Sequence, residues 1–184
     1  MLNQSQPPPS CPNIERVTCT KVHGITLNDR LSATELVNNL LTKCSSLLYE
    51  MRILRSQAIP TASLHDVFRT TILAQITYCL LAWSGLCSAS DSAKLDSFLN
   101  SCKCLSYCDN SVPTISDIIS NADDLLFQAV LKNNYYVLYH YYPDNPHTIY
   151  NLRQRPHNTQ VLITKTTFHC DHDYIVRTLY KNSY

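Results

Sequence analysis

Apolar residues recur every three or four positions through most of the segment from residue 33 to residue 140. The first stripe runs from Leu36 to Leu54, the second from Leu64 to Trp83, and the third from Leu95 to Leu105. This spacing places the apolar side chains on one face of a helix, so that each helix buries that face against its neighbours. The pattern predicts a mainly α fold, with a helical bundle over residues 32–142.

Local signals predict where the first three helices begin and end. Ser32 followed by Glu35, and Ser88 followed by Asp91, fit capping boxes, in which each side chain bonds a free backbone amide of the first turn. Pro60 ends the first helix, because the residue before a proline avoids helical angles. We therefore expect the first helix from Ser32, the second after Pro60 and the third after Ser88.

Two further helices are predicted toward the end of the bundle. Thr114, with an acid three residues later, opens a short fourth helix that ends near Ser120. Asp123 and Asp124 then fit the first turn of a fifth helix, because acids there are stabilised by the helix dipole. This fifth helix runs toward Tyr139.

The segments that flank the bundle have different compositions. Residues 1–13 are rich in proline and poor in apolar residues, which predicts a disordered N-terminal segment. Residues 14–31 contain β-branched residues interrupted by Gly24, which favours a short strand or hairpin. Residues 143–184 are irregular and end in a terminal helix over 173–181. The part from residue 151 onward holds five Lys and Arg against two Asp, a net charge of +3, so phosphate contacts are expected there.

Composition excludes several classes of site. With two glycines in 184 residues, the chain lacks a phosphate-binding loop, a dinucleotide fingerprint and a nucleophile elbow. Nine cysteines without a secretory leader predict reduced thiols and an intracellular location, cytoplasmic or nuclear. The longest apolar stretch, residues 72–83, is too short to cross a bilayer, so no membrane partner is expected.

Three clusters invite a functional interpretation. Cys102, Cys104 and Cys108 resemble metal ligands, but their spacing on a helix favours structural thiols. The tyrosines between residues 135 and 142 are expected to seal the bundle against the C-terminal segment, with base stacking as the alternative. Arg153 and Arg155 alternate along an extended stretch, where they either grip successive phosphates or bind carboxylates of the bundle.

The order and spacing of several short motifs resemble one family. These are Lys21-x-x-Gly24 running into a Leu-Ser helix start, followed by Leu54-Arg55, Pro60, Phe68-Arg69, Tyr78-Cys79, Ala82-Trp83-Ser84-Gly85, Asp91, Tyr150 to Asn158 and Leu179-Tyr-Lys181. Over roughly residues 14–184, the chain resembles the end of the palm, the thumb and the post-thumb region of a non-LTR (LINE, jockey-like) retrotransposon reverse transcriptase. His23 departs from the pattern, because the family usually has an apolar residue there.

The resemblance implies a thumb-like bundle that packs against a template-primer duplex, with the palm-end strand near the primer end. The family holds magnesium on carboxylates upstream of the Lys-x-x-Gly strand, and only twenty residues precede that strand here. The sequence Asn121-Ala-Asp-Asp124 copies part of the metal motif, but it lacks the preceding aromatic residue, and helix-forming residues follow. We therefore expect no metal cofactor and no autonomous catalysis.

Two functions remain open at the sequence level. The first is an inactive fragment of an RNA-directed DNA polymerase that at most binds RNA or an RNA–DNA duplex weakly. Its candidate contacts, which the resemblance and the charge pattern supply, are Lys21, Gly24, Arg52, Arg55, Arg153 and Arg155. The second is a free-standing helical interaction module that associates with a partner or with a second copy through exposed apolar faces.

Overall fold

The computed structural model of the chain describes residues 12–13, 15–143 and 162–181. Strands β1 (Cys19–Val22) and β2 (Ile25–Asn28) form an antiparallel hairpin. The helices are α1 (Thr34–Ser56), α2 (Thr61–Phe68), α3 (Ala74–Thr77), α4 (Leu80–Trp83), α5 (Ala89–Cys104), α6 (Ile115–Lys132), α7 (Phe168–His172) and α8 (Tyr174–Lys181). A π-helical turn covers Arg69–Leu73, and 3₁₀ turns cover Ser84–Leu86 and Val137–Tyr141. The predicted mainly α fold, with an N-terminal hairpin and a terminal helix, is confirmed.

The hairpin is closed by a two-residue turn at His23 and Gly24. Val22 pairs with Ile25, and both turn residues have positive φ, 48° for His23 and 84° for Gly24. Positive φ at both positions defines the type I′ turn, whose twist matches that of the strands it joins. The residue that departs from the family pattern therefore lies in the turn. Ile25 is buried, so β2 is the strand that packs against the bundle.

The main core lies between α1 and the helices on either side of it. Val37, Cys44 and Met51 of α1 are buried, and α1 contacts both the α2–α3 stretch and α5. The partners that complete this core include Leu64, Phe68, Ile72, Ile76, Leu95, Leu99, Cys102 and Ile115. The predicted stripes therefore supply the core. Within the described residues, no helix is both long enough and apolar enough to cross a bilayer.

The second predicted helix is interrupted twice, which its periodicity did not indicate. The α-helix gives way to the π turn at Arg69 and stops at Thr77, and Cys79 then takes the left-handed conformation with a φ of 49°. Threonine hydroxyls bond carbonyls one turn back, for example Thr71 to Val67 at 2.6 Å. Bonds of this kind bend helices. The apolar spacing continues through both interruptions, so the sequence pattern could not reveal them.

One predicted capping box is absent and another is confirmed. At the start of α1, Ala33 has helical angles and makes no side-chain cap, so the capping box of Ser32 with Glu35 is absent. The Thr34 hydroxyl instead donates to the Asp91 carboxylate at 2.9 Å, which links α1 to α5. At the start of α5, both hydrogen bonds of the predicted box between Ser88 and Asp91 are present.

The fourth and fifth predicted helices are one helix, α6. Its capping box, formed by Thr114 and Asp117, is present. Asp123 and Asp124 lie in the middle of the helix, so the prediction that they begin a new one is wrong. No proline or glycine separates Ser120 from Asp123, so nothing in the backbone stops the helix there.

A second, smaller core joins α6 to α8. Phe127, Val130, Tyr142 and Leu179 are its buried members. The rings of Phe127 and Tyr142 lie 5.7 Å apart in a tilted arrangement. Within the predicted tyrosine cluster, Tyr142 and the partly buried Tyr139 pack against the C-terminal helix, whereas Tyr135, Tyr136 and Tyr141 are exposed.

Candidate functional site

A cleft of about 320 Å³ lies where the hairpin meets α1 and α3. Its walls come from segments distant in sequence, because α1 supplies one side, the hairpin a second, and the end of α3 with the break that follows it a third. The lining residues are Lys21, Gly24, Ile25, Thr26, Leu36, Asn39, Leu40, Thr42, Lys43, Gln75, Tyr78 and Trp83. This is the place where the structure brings candidate residues together.

The hairpin turn and the helix break meet at Tyr78. The Tyr78 hydroxyl donates to the His23 carbonyl at 3.2 Å. The ring passes so close to Gly24 that an added Cβ there would stand 3.6 Å from it. On the other side, the Trp83 indole N–H donates to the Tyr78 carbonyl at 3.1 Å, which gives that carbonyl a partner where the helix stops. The left-handed conformation of Cys79 changes the direction of the chain between α3 and α4.

The cleft has an apolar floor and a polar rim. Ile25, Leu40 and Trp83 are buried at its base. Lys21 and Lys43 are exposed at its edge, and the remaining polar groups there are Thr26, Asn39, Thr42, Gln75 and the Tyr78 hydroxyl. None of the described residues that line the cleft carries a carboxylate, so the charges at its rim are those of the two ammonium groups, which favour a positive local potential. Such a surface attracts an anion that also carries an apolar part.

The predicted site residues fall into three groups. Lys21 and Gly24 both line the cleft. Arg52 is exposed farther along α1, about 13 Å from Lys43 at the helical rise per residue. Arg55 donates to the Leu105 carbonyl at 2.7 Å and stacks on the Tyr107 ring, with 3.6 Å between the guanidinium carbon and the ring centroid. Those contacts hold α1 to the end of α5. The last group, Arg153 and Arg155, lies outside the described residues.

Five polar residues of the cleft were missed by the sequence analysis, namely Thr26, Asn39, Thr42, Lys43 and Gln75. Asn39 and Lys43 lie one turn apart on α1, beside the buried Leu40, and Gln75 reaches the cleft from α3. Their position next to the apolar stripe of each helix was visible in the sequence. The sequence did not show which side of each stripe faces the hairpin, because that depends on how the hairpin packs against the helices.

The acidic pair that resembled a metal motif is engaged by two cations of α8. Arg177 binds Asp123 through two hydrogen bonds, at 2.7 and 2.8 Å. Lys181 binds Asp124 at 2.6 Å. Among the residues that the structure describes, no three His, Cys, Asp or Glu side chains are grouped to hold a metal ion. The two carboxylates hold the C-terminal helix in place.

The cysteines near the end of α5 divide into buried and exposed groups. Burial raises the pKa of Cys102 to about 12, with Cys108 and Cys44 as further contributors, and burial raises the pKa of Cys44 to about 11. The pKa of Cys108 is also raised by burial, whereas Cys104 is exposed. These buried thiols stay protonated at neutral pH, which is typical of core residues rather than of nucleophiles or metal ligands.

Comparison with known proteins identifies no relative: no family model matches the chain, and no curated protein or solved structure matches it significantly. Any functional conclusion therefore depends on the residues and on the geometry of the cleft.

Proposed function

We propose that the protein binds the sugar–phosphate backbone of a nucleic acid at the cleft between the hairpin and α1, as the thumb-like part of a polymerase of the non-LTR retrotransposon type. The observation that carries the proposal is the meeting of Lys21 and Lys43 in a cleft whose described lining residues include no carboxylate. Lysines in such a setting contact phosphates and release counterions, which supplies most of the affinity for a nucleic acid.

Two residues of the resemblance, Lys21 and Gly24, also line the cleft. The resemblance implies that the strand with Lys21 and Gly24 lies near the primer end of a template-primer duplex. Both residues line the cleft, next to the polar edge of α1. The proposal is one of binding alone and assigns no catalytic step to the described residues. Metal-dependent primer extension by the purified chain would contradict it.

Binding to a labelled RNA–DNA duplex, measured by fluorescence anisotropy over a range of salt concentrations, tests the proposal. The slope of log affinity against log salt reports the number of phosphate contacts, about 0.9 for each. We expect the double variant Lys21→Gln, Lys43→Gln to lower the slope by about 2 and to weaken binding at low salt. The control Lys132→Gln removes an exposed lysine in the last turn of α6, away from the cleft. An unchanged slope in the double variant would refute the proposal.

The interaction module is retained as a second candidate because of one apolar surface. Tyr135, Val137 and Tyr141 lie close together in sequence after α6, and their exposed fractions are 96%, 73% and 64%. Exposed apolar patches are frequent at protein interfaces. A second copy of the chain is the proposed partner, and sedimentation over a range of concentrations tests it. A dimer that the double variant Val137→Ser, Tyr141→Ser abolishes would support this function, and a monomer at all concentrations would exclude it.

A further inference from the structure

The cleft has a small volume, an apolar floor and a polar rim. Together these features indicate which part of a nucleic acid fits into it. At about 320 Å³, the cleft lies at the lower end of the range for small-molecule sites, about 300–1,000 Å³. A space of this size encloses one nucleotide-sized group, while a duplex must pass outside it. Phosphate contacts alone would not require the buried floor of Ile25, Leu40 and Trp83.

We infer that the cleft holds a single unpaired nucleotide, with its phosphate between Lys21 and Lys43 and its base on the apolar floor beside the Tyr78 ring. This inference rests on the proposed function and deepens it. The ligand class is a nucleoside phosphate, either free or at the unpaired end of a strand.

The Tyr78 ring is exposed and fixed in position, so that a base can stack on it. It is 56% exposed, yet its hydroxyl is fixed to the His23 carbonyl. A fixed aromatic ring loses little conformational entropy when a base stacks on it, and every base offers a face for stacking. The carboxamides of Asn39 and Gln75 each offer donors and an acceptor near the rim, which suits the edge of a base or the hydroxyls of a sugar.

Three positive-φ residues surround this ring. His23 and Gly24 form the turn on one side, and Cys79 follows the tyrosine directly, with a φ of 49°. The π-helical turn at Arg69–Leu73 lies one turn before Gln75. Irregular backbone of both kinds occurs frequently at functional sites, where it directs side chains that a regular helix would send elsewhere. Here the irregularities place Tyr78 over the cleft.

The single tryptophan of the chain reports on occupancy. Trp83 lies at the floor of the cleft, so a bound base is expected to quench or shift its emission. The titrants are adenosine 5′-monophosphate, a blunt RNA–DNA duplex, and the same duplex with one unpaired 3′ nucleotide. The variants are Tyr78→Ala and Tyr78→Phe, the latter keeping the ring but losing the hydrogen bond to His23.

Two outcomes support the inference. Saturable quenching by adenosine monophosphate, weakened about tenfold in Tyr78→Ala but far less in Tyr78→Phe, identifies a free nucleotide. Tighter binding of the overhang duplex than of the blunt one, about tenfold and lost in Tyr78→Ala, identifies the end of a strand.

One outcome overturns the inference while leaving the proposed function intact. If blunt and overhang duplexes bind equally, both are weakened by Lys21→Gln, and neither is affected by Tyr78→Ala, then the cleft contacts the backbone only. If none of the three titrants binds at low salt, both the inference and the proposed function fail. Circular dichroism of Tyr78→Ala and Tyr78→Phe shows whether each retains the helical fold, and Tyr78→Leu, which removes the ring but keeps an apolar side chain, replaces Tyr78→Ala if the latter does not fold.

Discussion

The cleft beside the hairpin and the junction between α6 and α8 each carry two cations, and they differ in what faces those cations. Arg177 and Lys181 meet the carboxylates of Asp123 and Asp124. Lys21 and Lys43 share a cleft whose described lining residues include no carboxylate. Neutralised charges of the first kind hold two helices together, whereas charges of the second kind are available to an anion from outside.

At the junction, the Arg177 guanidinium also binds three separate segments of the chain. Arg177 donates to Asp123, to the Ser84 hydroxyl and to the His172 carbonyl, all within 3.0 Å. An added Cβ on Gly85 would collide with that same carbonyl and stand 2.9 Å from the guanidinium. At the cleft, by contrast, Cys79 holds a left-handed backbone conformation, and the rim side chains of Lys21, Lys43 and Tyr78 are exposed. The comparison separates a region built for stability from one suited to binding.

The largest expected effect is that of breaking the ion pair at the junction. Arg177→Met should lower the free energy of unfolding by about 3–5 kcal/mol, because it leaves the buried Asp123 carboxylate without its cation. Urea denaturation measures the loss. In the control, Lys181→Met breaks a half-exposed pair and should cost less than about 1 kcal/mol. Losses of equal size would show that the junction does not depend on Asp123.

A smaller effect is expected from filling the space at Gly85. Gly85→Ala should destabilise the protein by about 1–3 kcal/mol, because the methyl group pushes the His172 carbonyl and the Arg177 guanidinium away. Thermal unfolding followed by circular dichroism checks this. The control Ala82→Ser changes an exposed position of α4 and should shift stability by less than about 0.5 kcal/mol. No change in Gly85→Ala would mean that α7 and α8 do not pack on this turn.

Asp91 is a buried carboxylate that accepts hydrogen bonds from the hydroxyls of Thr34 and Ser88. Its contribution to stability depends on pH. Burial by itself raises the pKa of Asp91, but hydrogen bonds from Ser88 and Thr34, with Lys94 nearby, outweigh that effect and hold the pKa below its usual value. The stabilisation is therefore present above the unfolded pKa, about 3.9, and is lost as the pH falls through the lower folded value.

Asp91→Asn should accordingly cost about 1 kcal/mol at pH 7 and less as the pH falls below about 4. Denaturant titrations at several pH values measure this difference. A cost that stays constant from pH 7 to pH 2 would show that the ionised carboxylate of Asp91 contributes nothing.

An effect about as large as that of Asp91→Asn, but of opposite sign, is expected at the cleft. Cys79→Gly should raise the free energy of unfolding by about 1 kcal/mol, because glycine adopts the left-handed conformation without strain. Cys104→Gly, at an exposed helical position in α5, should instead lower it by about 0.5–1 kcal/mol. If both variants lose stability, the backbone at Cys79 stores no strain.

The parts of the fold that depend on neighbouring residues were predictable. The box of Ser88 with Asp91 and that of Thr114 with Asp117 each involve residues three apart, so the sequence contains both partners. The end of α1 before Pro60 likewise depends on residues that are close in sequence. Ser32 with Glu35 shows the limit of such signals, because the Ser32 hydroxyl accepts from the Thr34 amide at 3.3 Å, and the Thr34 hydroxyl binds Asp91, 57 residues away.

The candidate site was predictable in part. Lys21 and Gly24 were identified from a motif, and they line the cleft. Lys43 was not identified, since no local pattern distinguishes it from other lysines beside an apolar stripe. Asp123 was assigned to a helix start on the basis of its charge. Its actual partner, Arg177, lies 54 residues away, so no local pattern indicated the ion pair.

By itself, the sequence determined the helical class, the apolar stripes, the hairpin and two of the helix starts, because each depends on residues within a few positions of one another. Only the tertiary structure decided which cations are neutralised and which remain available. Pairing between Arg177 and Asp123, and proximity between Lys21 and Lys43, arise from packing of elements distant in the chain. Electrostatic energy depends on distance in space, which local sequence does not specify.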